Sequence, residues 1–167
     1  MDDFYGQDLA AVHADAFEAL AASAAETLLK ALSGRDPSGR VLDLGCGAGP
    51  LSRRIGQKGF STWGLDLSPA LIALARERLP RAEFHCGSVL NADLPKAVAV
   101  AAVGEVLNYA TAQDPGGLTR VFQRVFDALE PGGCVPLRPG RAWTCGRWKE
   151  LRGGGVLGHR RGGDGKR

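Results

Sequence analysis

The stretch RVLDLGCGAGP, residues 40–50, decides the fold more than any other part of the chain. It opens with a short apolar run that ends at glycine, which is typical of a buried strand in a parallel sheet. The glycines permit a tight turn and let a ligand approach the backbone, and the N-terminal amides of the next helix would face that ligand. The stretch therefore predicts a strand, a ligand-binding loop and a helix in that order.

Strands and helices alternate along the rest of the chain. Short apolar runs predict strands at residues 40–45, 61–65, 82–86 and 98–103. Apolar residues at helical spacing predict helices within residues 9–32, 50–58, 69–79 and 115–129. This alternation predicts βαβ crossovers and an α/β fold with a doubly wound, mostly parallel sheet, which binds ligands beyond the carboxyl ends of its strands.

Capping residues and prolines mark the ends of these helices. Ser68-Pro69 and Asp114-Pro115 each place a capping residue before a proline at the first helical position. Pro131-Gly-Gly133 is expected to turn the chain after the last helix. The apolar face of the first helix comprises Phe17, Leu20, Ala21, Ala24, Leu28 and Leu32, and that of the last comprises Leu118, Val121, Phe122, Val125 and Leu129.

Length and composition favour one domain with an appendage. The chain has 167 residues, of which 44% are apolar and 23% charged, the balance of a globular protein. The net charge of +3 is unevenly placed, since residues 138–167 carry +7 and the residues before them −4. We therefore expect a core over residues 1–137 and an irregular, basic, Gly/Arg-rich tail over residues 138–167.

The cysteines and the hydropathy pattern disfavour other classes of protein. Cys46, Cys86, Cys134 and Cys145 are too widely spaced for a C-x-x-C site, so we expect no metal. The sequence has no run of about 18 apolar residues and no secretory signal. These features predict reduced thiols, no membrane partner and a cytoplasmic protein.

The spacing of the glycines distinguishes between nucleotide classes. The dinucleotide fingerprint is G-x-G-x-x-G/A, and Pro50 stands where its last small residue would be. The sequence has G-x-G-x-G instead, with Asp43 two residues before the first glycine. This difference disfavours a nicotinamide oxidoreductase.

The acid and the three glycines resemble the first motif of the class I S-adenosylmethionine-dependent methyltransferases. Four further segments are similar to that family in order: GLDLSP at 64–69, GSVL at 87–90, GEVLNY at 104–109 and LEPGG at 129–133. The resemblance covers roughly residues 4–133. It implies a Rossmann-like core, S-adenosylmethionine as cofactor and methyl transfer to a small-molecule acceptor.

The resemblance assigns residues to the methionine and ribose parts of the cofactor. Asp43 would orient the glycine loop and approach the methionine amino group, and Asp66 would accept both ribose hydroxyls. The Gly104 carbonyl and Glu105 would lie near the methionine amine, and Tyr5 would cover the methionine carboxylate. The loop that admits the cofactor would comprise Gly45, Cys46, Gly47 and Gly49.

The same resemblance assigns the adenine and acceptor sides. Leu67 would lie against the adenine, and Ser88 and Val89 would border it, with Ser88 where many relatives have an acid. Because a sulfonium is an activated methyl donor, the protein mainly supplies alignment and exclusion of water, and Glu105 is the first general base to test. The substrate candidates are His13, Asn108 and Tyr109.

Structural roles compete with several of these assignments. The glycines could serve only strand–helix packing, and His13 and His85 could be structural or exposed. Asn108 and Tyr109 could merely cap and pack the segment after the fourth strand. Cys46 has no basic neighbour in the loop to lower its pKa, so we expect no nucleophilic role.

After Gly133 the sequence departs from the family. Nine of the last 30 residues are glycine, and Pro136 and Pro139 cannot donate to a central strand. We therefore expect the sheet to lack the family's last strands, as in a truncated or frame-shifted end, and its uncovered edge to favour homo-oligomers. Two alternatives stay open: a non-catalytic cofactor-binding remnant, and an RNA-associated protein whose tail stacks bases on Trp143 and Trp148.

Overall fold

The computed structural model describes residues 17–108, Asp114, residues 116–137 and residues 144–147. Its helices are α1 (Glu18–Ala31), α2 (Pro50–Gly56), α3 (Pro69–Arg78) and α4 (Gly117–Ala128). Its strands are β1 (Arg40–Leu44), β2 (Ser61–Asp66), β3 (Glu83–Cys86), β4 (Ala97–Ala102), β5 (Leu129–Leu137) and β6 (Thr144–Arg147).

The strands form a single sheet in the order β3-β2-β1-β4-β5-β6. The first five are parallel, with Leu42 opposite Trp63 on one side and Val100 on the other, and β6 is antiparallel to β5. The chain builds outward from β1 to β3 and then crosses back to β4. The predicted doubly wound parallel sheet is confirmed, and its topological switch point lies between the carboxyl ends of β1 and β4.

Helices cover both faces of the sheet. On one face, α1 and α2 bury Leu28 and Ile55 against Val41, and on the other, α4 buries Val121 against Leu42. Successive residues of a strand point to opposite faces, so Asp43 lies on the α2 face with Val41. The sheet therefore has an apolar layer on each face, and both layers support the carboxyl ends of its strands.

Two helix boundaries test the sequence patterns. Ser68 caps α3, because its Oγ accepts from the Leu71 amide at 3.3 Å, as predicted. The last helix begins at Gly117 and not at residue 115, since the Asp114 carboxylate and carbonyl take the amides of Gly116 and Gly117 in a turn before the helix. Residue 115 itself is not among the described residues.

The predicted turn at Pro131-Gly-Gly133 is a bulge within β5. The prediction that Leu129 belongs to the last helix is wrong, because its backbone is extended and it opens β5. The register jumps from Leu129 opposite Ala97 to Cys134 opposite Ala99. Extra residues on β5 therefore loop out, with Gly132 in the left-handed region at φ +74°.

The expectation of an irregular segment over residues 138–167 is wrong for Thr144–Arg147. These residues form β6, with Arg147 opposite Cys134 and Thr144 opposite Leu137. Pro136 is tolerated inside β5 because it lies beyond the registered β4 pair at Cys134, where no amide has to bond to β4. The sheet thus extends past the expected core boundary at residue 137, and Pro139, Trp143 and Trp148 lie outside the described residues.

No helix in the described part of the chain is both long and apolar enough to cross a membrane.

Candidate functional site

The glycine loop leaves β1 and is fixed onto β2. The amides of Gly45 and Cys46 both donate to the Leu65 carbonyl, at 2.7 and 3.0 Å. Gly45, Gly47 and Gly49 have φ values of +74°, +53° and +81°, which L side chains rarely adopt. The sequence folds into this loop because glycine occupies each left-handed position.

The three glycines differ in what surrounds them. A Cβ on Gly45 would lie 2.7 Å from the Val106 Cβ, and one on Gly49 would lie 2.9 Å from Leu79 Cδ1. On Gly47 a Cβ would meet no atom of the described residues within 4 Å. The packing interpretation therefore suits Gly45 and Gly49, while Gly47 presents bare backbone to open space.

Asp66 stands at the end of β2 and holds the loop. Its Oδ2 accepts the Gly47 amide at 2.8 Å, and its Oδ1 accepts the Ser68 amide at 2.9 Å. A carboxylate offers about four acceptor positions, so two are left for a ligand. The next side chain, Leu67, is 56% exposed, more than any other large apolar side chain among the described residues.

Asp43 lies beneath the loop and is almost fully buried. Ser52 of α2 donates its hydroxyl to Asp43 Oδ2 at 2.8 Å. Burial raises the pKa of the Asp43 carboxyl to about 6, with a smaller upward contribution from Asp66 that opposes the lowering by the Ser52 hydrogen bond. The carboxyl therefore changes charge close to neutral pH.

Cys46 is a packing residue. Its side chain is buried, its Sγ donates to the Gly47 carbonyl at 3.6 Å, and a Cβ on Gly64 would meet that sulfur at 2.9 Å. Burial raises the pKa of the thiol, so it stays protonated. A buried, protonated thiol is a poor nucleophile.

The loop after β3 begins beside Asp66. The Gly87 amide donates to the Asp66 carbonyl at 2.9 Å, and Ser88 Oγ accepts the Leu90 amide at 3.2 Å. Val89 is buried in the apolar layer under α4, so a ligand would meet its backbone and not its side chain. Arg124 of α4, which the sequence patterns did not single out, donates to the Val89 carbonyl at 2.7 Å.

An apolar cleft of about 450 Å³ opens beyond the carboxyl ends of β1, β4 and β5. Its polar side chains are those of Glu105 and Asn108, both exposed. Gly104 follows β4 with φ +88°, and a Cβ there would lie 3.0 Å from the Phe17 ring. The apolar walls come from α1, α4 and β5 through Phe17, Leu20, Val121, Phe122, Val125 and Val135.

The remaining candidates are placed apart from the loop or lie outside the description. His85 stacks on Trp63 with ring centroids 4.8 Å apart and bonds to Glu83 at 2.8 Å, which favours its structural interpretation. No group of three or more potential metal ligands occurs among the residues that the structure describes. The candidates outside the described residues are Tyr5, His13 and Tyr109.

Comparison of the sequence with known proteins identifies a family and several relatives. A family model described as "Methyltransferase domain" matches residues 41–133. The trans-aconitate 2-methyltransferase of Paracidovorax citrulli is 36% identical over 102 residues, which are 59% of this chain and 37% of that protein. The malonyl-[acyl-carrier protein] O-methyltransferase of Serratia marcescens is 28% identical over 121 residues, 72% of this chain and 46% of that protein. The chain thus spans less than half the length of these relatives.

Solved structures give the same picture. SAM-bound CalS10, an amino pentose methyltransferase from Micromonospora echinaspora, superposes with a TM-score of 0.66 at 27% identity, covering 84% of this chain and 59% of that one. A TehB-like SAM-dependent methyltransferase from Corynebacterium glutamicum has a TM-score of 0.62 at 22% identity, covering 83% and 78%. The second likeness is one of fold alone.

Proposed function

This chain belongs to the methyltransferase domain family, and from that premise we propose that it binds S-adenosylmethionine and transfers the methyl group to a small-molecule acceptor. The observation that carries the proposal is the joint placement of Gly47, Asp66 and Leu67. A bare backbone, a carboxylate with spare acceptor positions and an exposed apolar side chain meet at the carboxyl ends of β1 and β2. This is where a doubly wound sheet binds its ligand.

The residues present fit the cofactor. Asp66 can accept from ribose hydroxyls while it still holds the Gly47 amide, because hydrogen bonds to a charged acceptor are strong and two acceptor positions remain. Leu67 offers an apolar surface for the adenine. When bound, the cofactor supplies a methyl group already activated on a sulfonium sulfur.

The work left to the chain is alignment, exclusion of water and handling of one proton. Gly104 and Glu105 follow β4 and line the apolar cleft, and the next residue, Val106, packs against Gly45 of the glycine loop. Apolar walls keep water from the acceptor, and a fixed in-line geometry lowers the barrier to displacement. Glu105 is the residue we assign as general base for an acceptor that must lose a proton.

We place the acceptor in the apolar cleft. Its volume of about 450 Å³ suits a small molecule, and Glu105 and Asn108 at its polar end would orient the accepting atom. The relatives named above act on trans-aconitate, malonyl-[acyl-carrier protein] and an amino pentose, so the family does not fix one acceptor.

A reducing, cytoplasmic location forms part of the proposal, since Cys46 and Cys86 are thiols. Homo-oligomers would form along the outer strands β3 and β6. RNA binding through the basic residues after 137 is the less favoured alternative. It requires an RNA affinity that falls steeply with salt and disappears when residues 138–167 are removed.

The test is calorimetry with S-adenosylhomocysteine on the wild type, Asp66→Ala and Asp36→Ala. Asp36 is a matched control. It accepts the Ser38 amide at 2.9 Å, just as Asp66 accepts the Ser68 amide at 2.9 Å, but it lies at the opposite end of the sheet. We expect Asp66→Ala to weaken binding by about 1.5–3 kcal/mol, the range for hydrogen bonds to charged groups, and Asp36→Ala to leave it unchanged. Tight binding of NADH, with no binding of S-adenosylmethionine or S-adenosylhomocysteine, would overturn the proposal.

A further inference from the structure

The loop between β3 and β4, residues 87–96, has little structure of its own. It contains one turn, in which the amides of Asn91 and Ala92 donate to the Ser88 carbonyl at 3.1 and 3.0 Å. Backbone carbonyls in a partly buried loop need partners from elsewhere, because an unpaired buried carbonyl costs free energy. The loop therefore depends on donors from neighbouring elements.

Arg124 supplies those donors from α4. Its guanidinium donates to the carbonyls of Val89 at 2.7 Å, Ala92 at 3.0 Å and Leu90. One partly buried side chain thus binds three carbonyls within four residues of loop. A planar guanidinium holds its five donors in a fixed fork on three nitrogens, whereas a lysine ammonium carries three donors on one nitrogen at the end of a flexible stem.

The other end of the loop is tied to the cofactor site. The Gly87 amide donates to the Asp66 carbonyl at 2.9 Å, and Cys86 Sγ donates to the Leu67 carbonyl at 3.6 Å. Asp66 and Leu67 are the residues assigned to the ribose and the adenine. The segment from Gly87 to Ala92 therefore runs from the adenine side of the site to Arg124.

We propose that Arg124 is a positioning residue for the adenine side of the cofactor, acting through the carbonyls of residues 89–92. The inference rests on the proposed function and adds to it a residue that acts through the loop backbone and is assigned no contact with the cofactor. Without Arg124, the loop would have to be ordered when the cofactor binds, and that ordering would be subtracted from the affinity. Arg124 thus holds residues 89–92 of the loop in place before the cofactor binds.

The variant that tests the proposal is Arg124→Met, which keeps the apolar stem and removes every donor. The matched control is Arg120→Met on the same helix, where the exposed Arg120 pairs only with Asp114 among the described contacts. Arg124→Lys serves as a second variant that restores a single donor group if the methionine variant does not fold. Calorimetry measures the affinity for S-adenosylhomocysteine and for adenosine in each protein.

We expect Arg124→Met to weaken both ligands by the same factor of ten or more, since the adenosine part is common to both. Arg124→Lys should lose less, and Arg120→Met should stay within twofold of the wild type. Faster hydrogen exchange at residues 89–92 in the Arg124 variants would accompany the loss. An unchanged affinity, or a loss for S-adenosylhomocysteine but not for adenosine, would overturn the proposal. A wild type that binds neither ligand would instead refute the proposed function.

Discussion

The two sides of the carboxyl edge of the sheet are built on different principles. Beyond β1, β2 and β3, the site is made of left-handed glycines, backbone amides and the carboxylates of Asp43 and Asp66. Beyond β4 and β5, it is an apolar cleft with Glu105 and Asn108 at its polar end. We therefore propose that the first side specifies the cofactor by fixed polar contacts and that the second specifies the acceptor by shape.

This difference explains how one family can keep its cofactor and change its acceptor. The glycine positions of the first side tolerate almost no substitution, because L side chains rarely adopt their left-handed backbone angles. Apolar walls can be reshaped by exchanging side chains of similar volume at modest cost. If the two sides are independent, a substitution on one side should leave ligand binding on the other side unchanged.

Two glycine variants should produce the largest effect and separate packing from binding. In Gly45→Ala the new Cβ would lie 2.7 Å from the Val106 Cβ, so overpacking and left-handed strain together should cost about 2–5 kcal/mol of stability. In Gly47→Ala only the strain of about 1–2 kcal/mol remains, yet the methyl would stand where the cofactor approaches. Chemical unfolding and calorimetry should therefore rank the two variants in opposite orders.

One calorimetric result would contradict the assignment of the cofactor to this side of the sheet. If Gly47→Ala binds S-adenosylhomocysteine as tightly as the wild type, the open space over Gly47 is not the cofactor's place, and the cofactor side has been misassigned.

The next largest effect concerns the buried carboxyl of Asp43. Its pKa is raised to about 6 in the folded protein from an ordinary 3.8, so between about pH 4 and 6 the folded state binds more protons than the unfolded state. Stability contributed by this group is therefore present at low pH and is lost as the pH rises through 6, by about 3 kcal/mol. Asp43→Asn should remove that dependence and stabilise the free protein at pH 7.5.

Urea unfolding at pH 5 and pH 7.5 measures about half of this contribution, because the rest is already lost between about pH 4 and pH 5. If Asp43 approaches the methionine amino group, as the family resemblance implies, the same variant should bind S-adenosylhomocysteine more weakly at pH 7.5, because it lacks that negative charge. A variant less stable than the wild type at pH 7.5 would show that the ionised carboxyl is better compensated than its burial implies.

A variant on the acceptor side should affect stability and spare the cofactor. Val125 is buried on α4 and lines the cleft, so Val125→Ala should cost about 1–3 kcal/mol through lost burial and the cavity left behind. The affinity for S-adenosylhomocysteine should stay within twofold, while the KM for an acceptor rises. Calorimetry on the variant decides the point, since a tenfold weaker cofactor would mean that the two sides are one coupled site.

The smallest expected effect lies where the two sides are joined. Glu18 of α1 binds both Arg53 and Arg54 of α2 at 2.5 Å, and thereby links the helix that walls the cleft to the helix that follows the glycine loop. Because these groups are about a third or more exposed, Glu18→Gln should cost less than about 1 kcal/mol. Thermal unfolding at low and high salt checks this, and a loss that does not shrink with salt would point to a buried contribution.

Sequence patterns predicted the parallel sheet and the tight glycine turn after β1 because both depend on local rules. Glycine at left-handed positions, Ser68 before Pro69 and Asp66 at a strand end follow from short-range geometry. The sequence could not separate Gly47 from Gly45, since that difference depends on Val106, about 60 positions away along the chain.

The second side was predicted less well because it depends on contacts between distant segments. The extended backbone of Leu129 and the pairing of β6 with β5 are set by the neighbouring strand, which overrides the local helical and Gly-rich patterns. Arg124 was missed for the same reason, since its partners lie 32 to 35 residues earlier in the chain.

The most direct test of the central claim is to follow backbone amide NMR signals while S-adenosylhomocysteine is added to the labelled protein. We expect the largest shifts at Gly47, Leu67 and Ser88, with Leu20 and Val135 in the cleft walls unchanged. Shifts concentrated at Leu20 and Val135, with Gly47 silent, would contradict the assignment of the cofactor to the β1–β3 side.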